Sequence, residues 1–87
     1  MKAIVISVEP GFFSQYDDLP KDIKKKFIKQ ISFLRSNPMY KSLQIHQIEG
    51  TDFWEFYVDK GYRCIFKREG NIYKLYFVGT HKLIDRI

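Results

Sequence analysis

His81 lies in the run YFVGTHKLID, residues 76–85, directly behind an apolar stretch that reads as a β-strand and a Gly-Thr pair that leaves room around its ring. Imidazole titrates near neutrality, so an accessible histidine there can give or take a proton, whereas a buried one is a structural group satisfied by a backbone carbonyl. Three strand-like runs supply possible companions: FWEFYV, YRCIFKR and IYKLYFV. Side chains alternate across a strand, which sends Trp54, Phe56 and Val58, then Tyr62, Cys64 and Phe66, then Tyr73, Leu75 and Phe77 towards a core. The opposite face receives Glu55, Tyr57 and Asp59, then Arg63, Ile65 and Lys67, then Lys74 and Tyr76. His46, in SLQIHQI, fits either face. The expected rim therefore holds Arg63, Lys67, Lys74, Tyr57, Tyr76, His81 and, on one of the two assignments, His46.

Cations interleaved with tyrosines on an exposed sheet suit RNA, because the cations neutralise phosphates and the rings stack on unpaired bases. The plain alternative is a solvated face: Arg63 paired with Glu55 or Asp59, Lys67 and Lys74 keeping an edge soluble, the tyrosines covering apolar surface. Cys64, in an apolar strand, reads as a small buried hydrophobe with a raised thiol pKa and no chemical role. As the one cysteine in the chain it forms no internal disulfide, and no Cys/His grouping has zinc-ligand spacing, which fits a reducing cytoplasm.

The elements that must position these groups follow from spacing. Residues 2–8, KAIVISV, alternate and are β-branched, which predicts a first strand ended by Pro10-Gly11. FFSQYDD, residues 12–18, suits a short helix or turn, and Pro20 stands where a helix begins. Ile23, Phe27, Ile31 and Leu34, with Ile28 beside them, mark one apolar stripe of a long helix that must stop near Asn37-Pro38. Its other side carries Lys21, Lys24, Lys25 and Lys29, a solvated face before it is a nucleic-acid stripe. After Pro38, SLQIHQI and the three runs above are separated by short Gly-bearing turns, which predicts an antiparallel meander. The expected architecture is α+β, in the order β-α-α-β-β-β-β, with both helices on one face of the sheet and the other face open.

At 87 residues the chain reads as one domain, 1–87, and its 45% hydrophobic content describes a packed globule without staples. Fifteen Lys and Arg against ten Asp and Glu leave a formal charge of +5, which favours polyanionic partners, nucleic acid or an acidic protein. The first residues carry an apolar run too short for a signal peptide or a bilayer span, so a cytoplasmic protein is expected.

The order of elements together with KSLQIHQIEG, FWEFYVDKGYRCIF and IYKLYFVGTHKLID resembles the RelE/ParE superfamily of toxins from type II toxin–antitoxin systems, over essentially the whole chain. The aromatic strand, Gly turn and Tyr-Arg of the middle motif are its strongest part, and GTH after an apolar strand is the ending of one branch. The resemblance implies a RelE-like mRNA interferase: a ribosome-dependent, metal-independent endoribonuclease that inhibits translation, with an acidic antitoxin, the ribosome and mRNA as partners and no cofactor, metal or membrane. Its alternatives are a ParE-like DNA gyrase inhibitor and a catalytically inactive, protein-binding member. It places an arginine at Arg63 and a basic residue or histidine at His81. The chain departs from the pattern in having no tyrosine among residues 82–87, and Glu55 and Tyr57 where some RelE proteins carry lysines.

RNA cleavage without a metal needs a base for the ribose 2′-hydroxyl, a cation for the phosphorane and an acid for the leaving 5′-oxygen. On this view Arg63 takes the phosphate, His81 does acid or base work, and Glu55 or His46 completes the pair. Lys67, Lys74, Tyr57 and Tyr76 would bind substrate.

Overall fold

The helical spacing of residues 21–36 and the alternation of the later runs build two helices on one face of a five-stranded sheet in the computed structural model, which describes residues 3–84. The elements are β1 (Val5–Val8), α1 (Phe12–Asp17), α2 (Lys21–Ser36), a 3-10 turn (Lys41–Leu43), β2 (His46–Gln47), β3 (Trp54–Asp59), β4 (Tyr62–Glu69), β5 (Ile72–Thr80) and α3 (His81–Ile84). Spatial order is β1-β5-β4-β3-β2. The expected meander runs antiparallel from β2 to β5, while β1 lies parallel to β5 at one edge, Val5 beside Ile72 and Val8 beside Leu75. Of the expected first strand, residues 5–8 are extended and Lys2 lies outside the described residues. No helix among the described residues is long and apolar enough to cross a membrane.

The core lies between the helices and the sheet. A run of rings crosses it: Phe12 against Phe27 at 5.7 Å, Phe27 against Phe56 at 6.2 Å, Phe56 against Phe66 at 5.9 Å and Phe66 stacked on Tyr73 at 5.4 Å. Such pairs contribute about 0.5–1.5 kcal/mol each beyond the area they bury. Leu34, Leu43 and Leu75 fill the space around them. Helix α2 starts behind Pro20, and its C-terminal neighbour Asn37 is extended, as Pro38 requires, with its N–H still donating to Phe33 O at 2.8 Å.

Four local readings need correction. First, the stripe of α2 is Ile23, Phe27, Gln30 and Leu34; Ile31 is half-buried and Ile28 is 56% exposed. Gln30 takes the buried place because β2 is so short that the outer edge of β3 past Glu55 has no strand beside it. Gln30 Nε2 donates to Tyr57 O at 2.6 Å and to Ser42 O at 3.1 Å, and its Oε1 accepts from Ser42 Oγ at 3.3 Å. Each buried polar group there has a partner, as burial demands.

Second, SLQIHQI is not a full strand. Its first part is the 3-10 turn, Gln44 sits in the left-handed region at φ 47°, and only His46 and Gln47 pair with β3. Third, Phe77 does not join Tyr73 and Leu75 in the core. A β-bulge between Ile65 and Phe66 pairs Phe77 with Ile65 and Leu75 with Phe66, so Tyr76 and Phe77 both face away from the helices and Val78 takes the core position. Bulges have this effect because one extra residue shifts the alternation. The Val78 N–H just past it donates to Gln15 Oε1 of α1 at 2.9 Å. Fourth, Asp59 does not share the face of Glu55 and Tyr57: the register shifts between Tyr57 and Asp59, and its carboxylate accepts from Lys26 of α2.

Candidate nucleic-acid interface

The face of the sheet turned away from the helices carries its side chains in rows set by the strand register. Tyr57, Arg63 and Gly79 form one row; His46, Glu55, Ile65 and Phe77 form the next; Lys67 and Lys74 face each other in the third. Successive rows are about 7 Å apart, two residues of extended chain. Of the residues singled out for the rim, His46, Tyr57, Arg63, Lys67 and Lys74 therefore share this face, but at separate stations. The floor is apolar: Ile65 is buried although it points away from the main core.

Arg63 anchors the first row. Nη1 donates to Asp59 O at 2.8 Å and to Tyr62 O at 2.9 Å, and the guanidinium lies 4.8 Å from the Tyr57 ring. The pairing with a Glu55 or Asp59 carboxylate is not formed. Among the described residues the Nη2 and Nε hydrogens of Arg63 make no protein hydrogen bond, so half of a fixed, planar fork is offered outward. That geometry matches two oxygens of one phosphate.

His81 stands one row beyond, just past the end of β5 and opposite Gly61. Gly79 is the direct partner of Arg63, and two residues on the chain turns into α3, which packs on β4 and β5. The His81 N–H donates to Gly61 O at 3.0 Å, two residues before Arg63. His81 is exposed and so is not a buried histidine. Glycine at 79 puts no side chain between the arginine and this turn.

His46 and Glu55 make one unit in the second row. His46 Nε2 lies 3.0 Å from Glu55 Oε1 and Nδ1 lies 3.0 Å from Gln44 O. Both ring nitrogens thus face oxygens, one on a side chain and one on the backbone. Glu55 is largely buried at its side chain, 12% exposed, whereas His46 is 60% exposed. The left-handed Gln44 is what turns His46 to this face, a feature that alternation could not supply.

Two contributors were missed. Phe53, whose odd-numbered position already put it with Glu55 and Tyr57, lies 4.8 Å beneath Lys67 Nζ. Glu9 bonds Lys74 at 2.9 Å, and nothing short of the parallel β1–β5 pairing would reveal it. That carboxylate, by hydrogen bond and by charge, pushes the Lys74 ammonium above its ordinary value. Cys64 is fully buried, and burial pushes its thiol well up, so it stays protonated and inert. On α2, Lys24 and Lys29 lie over Tyr16 and Phe33 rather than forming a stripe with Lys21 and Lys25.

The Lys26–Asp59 pair ties α2 to the β3–β4 turn that carries Arg63, and it makes stability depend on pH. The Lys26 hydrogen bond holds the Asp59 carboxyl below 3.8, helped by the Gly61 N–H, and the same bond raises Lys26 above 10.5. A lowered carboxyl stabilises above its unfolded value and loses that contribution as pH falls through the folded one; the raised amine does so as pH rises through its own folded value. The melting temperature should therefore drop at the acid end below about 3.8, and Asp59→Asn should flatten part of that drop. The effect is small, because Lys26 is exposed and salt screens the pair. Thermal melts across pH, wild type against variant, measure it.

No protein-family model matches the sequence, and no curated protein matches it significantly. Solved structures do match. A chain of the E. coli DinJ–YafQ toxin–antitoxin complex superposes with a TM-score of 0.78 at 16% identity, over 95% of this chain and 98% of that one. A chain of the archaeal RelE–RelB complex from Pyrococcus horikoshii OT3 gives 0.73 at 16% identity, over 91% and 96%. A chain of the RelB–RelE antitoxin–toxin complex from Methanococcus jannaschii gives 0.73 at 22% identity, over 92% and 95%. Two helices on one face of a mainly antiparallel five-stranded sheet, matched over nine tenths of each of these chains, give this protein the fold of the RelE/ParE superfamily of toxins.

Proposed function

We propose that the protein is the toxin of a type II toxin–antitoxin pair and acts as a RelE-like endoribonuclease that cuts mRNA on the ribosome in the cytoplasm. The observation that carries this reading is Arg63: a guanidinium held by two backbone carbonyls and an aromatic ring, with its other edge open and α3 packed on the strand that bears it. An inhibitor that worked by contact alone has no need of a half-occupied phosphate fork flanked by titratable groups.

In the proposed reaction the 2′-hydroxyl oxygen bonds to phosphorus and the bond from phosphorus to the 5′-oxygen breaks. The His46–Glu55 unit takes the 2′ proton, Arg63 donates to the non-bridging oxygens as their charge grows, and His81 protonates the departing 5′-oxygen. The products are a 2′,3′-cyclic phosphate and a 5′-hydroxyl. Tyr57, its ring 4.8 Å from the Arg63 guanidinium, offers a ring for the base next to the cut.

The +5 charge suits a small acidic antitoxin that orders part of its chain on binding, and the DinJ–YafQ and RelB–RelE structures are toxin–antitoxin complexes. Induced alone, the chain should halt amino-acid incorporation before any change in DNA supercoiling, and co-expression of its acidic partner should restore it. Loss of supercoiling with translation intact would instead favour the gyrase inhibitor.

A further inference from the structure

The third row holds two lysines for which the cleavage chemistry above has no task. Lys67 and Lys74 stand directly opposite each other across β4 and β5, where like charges repel. Aromatic rings hold them in place: Lys67 Nζ is 4.8 Å from the Phe53 centroid and 5.4 Å from that of Tyr76, and Lys74 Nζ is 5.6 Å from Tyr76. Phe53 and Tyr76 meet edge to face at 5.4 Å. Glu9 neutralises Lys74, whereas Lys67 makes no ion pair among the described residues. A pocket of about 130 Å³ opens at this place, lined by Lys67, Glu69, Ile72, Lys74 and Tyr76. Tyr76, in the outward place that alternation gives it, supplies the aromatic wall.

We infer that Lys67, Lys74 and Tyr76 form a second nucleotide subsite, which holds a phosphate and the adjoining base of the same mRNA strand that Arg63 holds at the cut. The inference rests on the ribonuclease reading and adds to it where the strand runs. Lys67 is four residues from Arg63 along β4, about 13 Å of extended chain, which corresponds to about two nucleotides of stretched single strand. The phosphate exchanges with the Glu9 carboxylate at Lys74 and draws both ammonium groups off the Tyr76 ring, whose face then receives the base. Ile65 and Phe77 form the apolar floor between the two stations, so the strand crosses the second row without another cation.

The test uses ribosomes carrying short mRNAs in which one linkage at a time, on either side of the cut, is a neutral methylphosphonate on a 2′-deoxy sugar, with the 2′-deoxy phosphate as its control. For the wild-type protein one linkage about two nucleotides from the cut should matter, its neutralisation slowing cleavage roughly tenfold. The Lys67→Gln/Lys74→Gln protein, with an unchanged melting temperature, should be slow on every mRNA and insensitive to that linkage, and Glu9→Gln should enlarge the wild-type effect. A linkage effect of equal size in wild type and double variant would overturn the subsite. So would a variant slowed on all mRNAs while no linkage outside the cut matters to wild type, since the lysines would then hold ribosomal RNA. Absence of cutting on the unmodified mRNA would overturn the ribonuclease reading, and the subsite with it.

Discussion

His81→Ala is expected to lower ribosome-dependent mRNA cleavage by about 10²–10⁴-fold, the range typical of a lost proton transfer, while leaving the melting temperature almost unchanged. The second half of that expectation comes from position. His81 is exposed, and its backbone N–H to Gly61 O, at the start of α3, is a contact that alanine keeps. The rate-against-pH profile should lose the limb that reports the acid. A variant that melts early yet turns over normally per folded molecule would remove the catalytic assignment.

Arg63→Ala should cost about 10²–10³ in the rate of the chemical step, as expected for one donor lost from a charge-stabilising site. Alanine also removes the bonds to Asp59 O and Tyr62 O and the contact with Tyr57, so about 1–3 kcal/mol of stability should go with it. Rates must be compared per folded molecule. Arg63→Lys sharpens the test: it keeps the charge but not the planar fork, so it cannot hold two carbonyls and two phosphoryl oxygens together. It should recover stability better than rate, and a lysine protein with full activity would show that charge alone suffices.

Much of this architecture is legible in residue spacing, and the exceptions have local causes. Ile23, Phe27 and Leu34 announce α2 because a helix buries every third or fourth side chain. Trp54, Phe56 and Val58 announce β3 by alternation, and the resulting face correctly gathered Tyr57, Arg63, Lys67, Lys74 and Tyr76. Spacing failed where the period itself broke. One bulge moved Phe77 out of the core, a second register shift swung Asp59 to Lys26, and the left-handed Gln44 cut short a strand that composition alone suggested. Gln30 is buried because a carbonyl edge of β3 needed a donor, a requirement that appears only after β2 proves too short to supply it. The parallel partnership of β1 and β5, which brings Glu9 to Lys74, joins segments more than sixty residues apart, and hydrophobic period carries no record of which strands meet.

The most direct measurement is to add the purified protein to ribosomes programmed with a defined mRNA and map the RNA ends. The account predicts cuts in the A-site codon that leave a 2′,3′-cyclic phosphate and a 5′-hydroxyl, depend on the ribosome, and disappear together in the Arg63→Ala and His81→Ala proteins. Intact mRNA at stoichiometric protein, under conditions in which the same preparation blocks supercoiling by gyrase, would contradict it.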